Sequence, residues 1–155
     1  TLNYNSLTTG IINYLARNST TIDAGMYASV PTIRDFDPEQ YSLFATSFPA
    51  ISVDLKSHDE ERVDIALGQN SRRTINCTWN IGCHIRTINS STAVMQAMRL
   101  LVTNVEYALR QDDTLSNTVD MADVVDVQFG TLTKSDKGLW QKNGLIVLQT
   151  QHRLA

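Results

Sequence analysis

Side chains able to do acid–base or nucleophilic chemistry are few and scattered. His58-Asp59-Glu60-Glu61 is one run, and a histidine beside carboxylates is raw material for general acid–base hydrolysis. That use needs a pocket that shifts their pKa values. The run instead belongs to a charged connection, 57 to 72, where charges are ordinarily solvated. His84 and His152 lie far off, and no histidine forms an HxxH, HxH or HExxH pattern. Cys83 and His84 are adjacent, but neighbours on a strand point to opposite faces and do not easily share one ligand sphere. Cys77 falls in the middle of an apolar strand face, a poor setting for a thiolate nucleophile. Patterns of the types GxGxxG, GxxxxGKS/T and GxSxG are missing. The expectation is no enzyme, no cofactor and no metal; a small hydrolase using His58 and nearby acids is the least favoured alternative.

The elements around these residues are easier to read. In RTINCTWNIGCHIR, residues 73 to 86, the odd positions carry Ile75, Cys77, Trp79, Ile81, Cys83 and Ile85. The even positions carry Thr74, Asn76, Thr78, Asn80, Gly82, His84 and Arg86. Strict alternation predicts one long strand with an apolar and a polar face. Its two cysteines would lie roughly 20 Å apart at about 3.3 Å per residue, too far for an intrachain disulfide. They read as small buried hydrophobes in a reducing cytosol.

A helix is predicted over about 4 to 17, with Leu7, Ile11, Tyr14 and Leu15 in one stripe. Residues 18 to 47 read as a long loop, in which Asp37-Pro38-Glu39-Gln40 should cap a short helix over about 38 to 45. FPAISVDL, 48 to 55, is a half-buried strand, and RVDIAL beyond it can extend a hairpin arm. The clearest helix spans 90 to 111, with Val94, Met98, Leu101, Val105 and Ala108 at spacings of three and four. A strand over 124 to 132 should place Val125, Val127 and Phe129 on one face. KSDKG is a break, and Gly144 in the last segment marks a bulge or a strand start at Leu145. The order helix, strand, strand, helix, strand, strand predicts one α+β domain over 1 to 155, a mainly antiparallel sheet with helices on one face.

Composition narrows the partners. Of 155 residues 42% are hydrophobic and 19% charged, with net charge −3. Low charge means a surface rich in Ser, Thr, Asn and Gln, without the clustered basic surplus of a phosphate-gripping protein. No apolar run of about 18 residues would span a membrane. The opening TLNYNSLTTG has neither a basic region nor an apolar core, so no secretory leader is expected. An uncharged polar face on the long strand fits a neighbouring protein surface as well as it fits solvent. Thr74, Asn76, Thr78 and Asn80 are therefore candidate interface residues, with His58 and Arg62 of the adjoining connection. From 111 to 133 the chain carries Asp112, Asp113, Asp120, Asp123 and Asp126 and no Lys or Arg. That is either a solvated acidic loop or a surface that repels polyanions.

In order and local pattern the chain resembles the tail-terminator, or tail-completion, proteins of long-tailed bacteriophages. The resemblance lies in the first helix, the strand after Phe48-Pro49-Ala50, the alternating strand 74 to 86 and the long helix. It continues through Leu115-Ser116-Asn117, the strand 124 to 132, Gly138-Leu139-Trp140 and the final strand. It implies a virion protein assembled in the host cytoplasm, with six copies of the chain forming a ring at the head-proximal end of the tail tube. The tail tube protein and a neck or stopper protein would be its partners. DNA would pass through the centre without specific binding, with Asp112, Asp113, Asp120 and Asp123 at the channel rim. A neck or stopper protein is the alternative in the same class, and a soluble binding adaptor lies outside it.

Overall fold

The structure is a computed structural model and describes residues 2–26, 32–34, 49–62, 73–87, 91–130, 132–134 and 140–154. Its elements are α1 (Tyr4–Arg17), α2 (Ser19–Ile22), β1 (Thr32–Arg34), β2 (Ala50–Arg62) and β3 (Arg73–Thr87). α3 (Ser91–Arg110), β4 (Met121–Phe129), β5 (Thr133–Lys134) and β6 (Trp140–Leu154) follow. The sheet order is β1-β2-β3-β6-β4, with β5 also on β6. Every pairing is antiparallel except β1 with β2. This is the expected α+β architecture.

β3 and β6 are the centre. They pair without interruption from Arg73 opposite Leu154 to Thr87 opposite Trp140. The alternation of β3 becomes two physical faces: Cys77, Trp79, Ile81, Cys83 and Ile85 are fully buried beneath the helices. α3 lays Val94, Met98, Leu101, Val105 and Ala108 on that face, widened by Val102 and Leu109, as its spacing predicts. Each of the Val, Met and Leu side chains, taken fully out of water, stabilises the fold by roughly 1.5–3 kcal/mol. α1 completes the layer with Leu7, Ile11, Tyr14 and Leu15. Two side chains fasten the helices together. Tyr14 Oη donates to Ala108 O at 2.5 Å, and Asn104 Nδ2 donates to Ile22 O and Ala24 O at 3.0 and 2.9 Å.

Several boundaries depart from the sequence reading. The long loop is broken by α2 and by β1; the helix expected over 38 to 45 lies outside the described residues. β2 runs on to Arg62, because 57 to 62 pair with β3 after a register shift between Leu55 and Ser57. Residues 57 to 62 of the supposed charged connection are therefore strand, and of RVDIAL only Arg62 is described. β6 begins at Trp140, and Gly144 keeps regular register opposite Cys83. Glycine is there because α3 passes close by: a Cβ would stand 2.8 Å from Val102 Cγ2 and 2.9 Å from Met98 Sδ.

β4 corrects a face assignment. A register shift between Val124 and Asp126 leaves Val125 as the extra residue of a bulge, 46% exposed. Ala122 and Val124 are buried before it and Val127 is half-buried after it, so Val125 does not share their face. The link from α3 to β4 turns through Leu115, Ser116 and Asn117, all at positive φ (47°, 58°, 65°). Three left-handed residues in a row are costly. Asp112 holds them: its carboxylate accepts from Thr114 N, Thr114 Oγ1 and Ser116 N at 2.8–2.9 Å, while Leu115 is fully buried. Those hydrogen bonds, Ser116 N foremost, hold the Asp112 carboxyl below its usual pKa.

Candidate functional site

Among the described residues, helices cover one face of the sheet only, and the other is called the uncovered face below. On the other face β3 presents Thr74, Asn76, Thr78, Asn80, Gly82, His84 and Arg86. β6 sets Arg153, Gln151, Gln149, Val147, Leu145, Asn143 and Gln141 opposite them in that order. From Asn76 to Gly82 this double row carries no charge. Acids stand on the flanking strands: Asp54 and Asp59 on β2, opposite Asn80 and Asn76, and Asp123 and Asp126 on β4, opposite Gln149 and Val147. Met121, also on this face, is 51% exposed. The face is thus an uncharged strip, amide and hydroxyl at one end and joined by Gly82, Val147 and Leu145 at the other, between two acidic margins.

Thr74, Asn76, Thr78 and Asn80 are together, as their alternation requires. His58 and Arg62 are not with them. The shift after Leu55 inverts the phase of β2, so His58 pairs with Cys77 on the helix side, and Arg62 stands opposite Arg73 rather than in the Thr74–Asn80 row. The His58 ring lies 5.4 Å from that of Tyr4. The same alternation divides the acid–base run: Asp59 faces the uncovered side, while Glu60 faces the helix side and pairs with Arg73 at 2.9 Å. The four aspartates of the supposed rim are also dispersed. Asp112 holds the turn, Asp113 is exposed beside it, and the Asp120 carboxylate accepts from Arg153 N at 2.5 Å. Asp123 alone stands on the uncovered face, where Asp126 joins it.

One part of this face is concave. A groove of about 350 Å³ is lined by Asp54, Asn80, His84, Gln128, Phe129 and Asn143, among others. On its floor the Ser52 hydroxyl meets His84 Nε2 at 2.9 Å, and His84 Nδ1 meets Asn143 Oδ1 at 2.8 Å. With Asn143 Oδ1 as acceptor, Nδ1 carries the proton and Nε2 accepts from Ser52. Gly82 makes room for this chain, since a Cβ there would stand 2.6 Å from His84 Nε2. Burial lowers the His84 pKa, the Asn143 hydrogen bond opposes the shift, and the Arg86 charge adds to it. The imidazole is neutral at pH 7. Beside it, Asn80 Oδ1 is buried and has no hydrogen-bond partner among the described residues.

Ser52, His84 and Asn143 were missed as a group. Ser52 and His84 stand at polar positions of alternating strands, which marks their faces but not their meeting. Asn143 lay before the expected strand start. Among the described residues no three His, Cys, Asp or Glu side chains gather closely enough to hold a metal ion. No described helix is long and apolar enough to cross a membrane.

A scan against protein-family models finds no match to this chain, and a search of curated proteins finds no relative.

Proposed function

We propose that this chain is a structural virion protein of the tail-terminator kind. Its copies close into a ring on the head-proximal end of a phage tail tube, stop tube growth and join the tail to the neck. The observation that carries this reading is the uncovered face: two central 15-residue strands whose middle rows bear Thr, Asn, Gln, Gly, Val and Leu and no charge. Charged residues are depleted at the cores of protein interfaces and enriched where a surface meets only water. The acidic margins suit a channel wall along which DNA slides without sticking. The resemblance in element order supports the same reading. A neck or stopper protein shares all these features and differs in what it binds.

The test joins two measurements. The purified protein should have a mass in solution of several copies, or acquire it on isolated tail tubes, and images should place it at one tube end. A protein that remains monomeric and leaves tube ends bare overturns the reading. Binding to the portal side alone transfers it to the neck class.

The Ser52–His84–Asn143 chain supports a second reading, a hydrolase of small esters. The connectivity is that of nucleophile, base and orienting group. Ser52 Oγ would take the acyl group as its proton passes to His84 Nε2 and on to the leaving alcohol, and water would then release the acid. The first reading fits better, because Ser52 is only 3% exposed and the surrounding strands commit their backbone N–H groups to the ladder, leaving few to hold an oxyanion. Hydrolysis of p-nitrophenyl acetate that is lost in Ser52→Ala would reverse that order.

A further inference from the structure

We infer that the groove receives the side chain of Tyr107 from a second copy of this chain, with its ring over Gly82 and Leu145 and its hydroxyl on Asn80. The inference rests on the ring reading above and says which two surfaces meet.

The groove is hollow because Gly82 has no side chain: a Cβ there would meet Ser52 Oγ and His84 Nε2. Beside this gap Leu145 and Val147 are only half-buried, although β6 lies inside the sheet. Ser52 and His84 are occupied with each other and with Asn143. Asn80 Oδ1 is different: it is buried with no hydrogen-bond partner among the described residues, a costly state. The last torsion of an asparagine is soft, so a turn of the amide brings that oxygen to an arriving donor. The site therefore fits a flat apolar body with one donor at its tip. Its volume of about 350 Å³ has room for one such ring.

α3 supplies the ring. Among the described residues the exposed large hydrophobic side chains are Tyr107, Met121, Val125 and Phe129. Only Tyr107 has a polar tip, and at 59% it is the most exposed of them. Tyrosine is enriched at the energetic centres of interfaces because it joins a large apolar body to a hydroxyl that finds a partner when buried. Tyr107 stands with Gln96, Arg99, Thr103 and Arg110 on the outer stripe of α3, opposite the stripe that packs on the sheet. The helix layer and the uncovered face lie on opposite sides of one sheet, so Tyr107 cannot enter the groove of its own chain. The contact joins two different surfaces head-to-tail, the kind that generates rings.

Charge agrees and sets the direction. α1 and α3 carry Arg17, Arg99 and Arg110 against Glu106, whereas the uncovered face has acidic margins. With α3 laid along β3, Arg99 stands about 12 Å from Tyr107 at 1.5 Å per residue. That is the reach of about four strand residues. From Gly82 one direction brings Arg99 to the row of Thr78, Gln149 and Asp123, and the other brings it to Arg86. The first joins unlike charges and the second like ones, so Arg99 lies towards Asp123, an exposed carboxylate.

The full-length chain tests this by a double-mutant cycle on self-association. Tyr107→Phe should weaken it about two- to tenfold, the effect of one hydrogen bond, and Tyr107→Ala at least about thirtyfold, as at an interface hot spot. Asn80→Ala should weaken it like Tyr107→Phe, and the two together should do no more than either alone. Arg99→Asp should weaken it too, and Asp123→Arg in the same chain should restore it. Light scattering over a dilution series reads the mass, and circular dichroism checks each fold. As a second measurement, the photoreactive p-benzoylphenylalanine placed at 107 should cross-link one copy to another within 78–84 or 143–147. Assembly that survives Tyr107→Ala, with no such cross-link, overturns this contact and leaves the ring reading standing. Additive losses from Tyr107→Phe and Asn80→Ala overturn the pairing, and cross-links to the tube protein alone give Tyr107 to the tube and overturn it as well. A wild-type protein that never assembles, alone or on tubes, overturns both readings.

Discussion

The indole N–H of Trp79 donates to the Thr150 hydroxyl at 2.9 Å, on the helix side of the sheet and diagonally across its two central strands. Both residues are essentially fully buried. The same hydroxyl lies 3.0 Å from His152 Nε2, so one threonine serves two polar groups in an otherwise apolar layer. Thr150→Val keeps the shape and removes the partner. It should cost about 1–3 kcal/mol, the cost of a buried donor left unsatisfied. Urea unfolding with an unchanged slope would measure it, and a loss below about half a kcal/mol would mean that water replaces the hydroxyl.

Gly144→Ala should destabilise although alanine is the better strand residue. The added Cβ would press on Val102 Cγ2 and Met98 Sδ and lift α3 from the sheet. Overpacking of this kind costs about 1–3 kcal/mol. Val102→Ala in the same chain should return part of it, giving a non-additive double-mutant cycle. Strict additivity would place the strain elsewhere.

Local pattern made much of this fold legible. The faces of β3 and the inner stripe of α3 are written in contiguous residues, and each is as the alternation or the spacing predicts. What stayed hidden belongs to pairs of strands. The bulge that turns Val125 outward exists only in the pairing of β4 with β6, and the shift that moves His58 to the helix side exists only in the pairing of β2 with β3. The groove is hidden for the same reason: Ser52 and Asn143 stand 32 and 59 positions from His84, and register alone unites them.

His84 makes stability depend on pH. Its folded pKa is lowered by burial, so below about pH 6.5 the unfolded chain binds a proton that the folded chain resists. The contribution is full above pH 6.5 and is lost as pH falls towards the folded value, at a slope of up to about 1.4 kcal/mol per pH unit. His152 is shifted in the same direction, also by burial. Urea midpoints should therefore fall between pH 7.5 and 5, and His84→Gln should flatten the curve. An unchanged slope in that variant would show that His84 titrates normally.

Cys77 and Cys83 should resist thiol reagents in the native protein. Both are fully buried, and burial pushes the Cys83 thiol up to about 12. Ellman's reagent should react with both thiols only on unfolding, at a rate that rises with urea. Prompt reaction of either thiol in native buffer would contradict the packing of β3 beneath α3.

Thr78→Lys separates folding from assembly. Thr78 is half-buried on the uncovered face, between Ser57 and Gln149, and contributes nothing to the layer beneath the helices. If water alone covers that face, a lysine there should change stability by less than about half a kcal/mol and have no other effect. If the face meets a neighbouring copy or the tube, each copy buries an ammonium without a partner, at several kcal/mol. The two outcomes differ by orders of magnitude in association and hardly at all in the monomer. The expected result is a chain that unfolds at the wild-type urea midpoint and elutes as a monomer, with tails of uncontrolled length or tails unattached to heads in virions carrying it. Wild-type particles from a Thr78→Lys phage would show that the neutral strip faces solvent. The charge that β3 lacks between Asn76 and Gly82 would then reflect the general polar, low-charge composition of this chain rather than a contact.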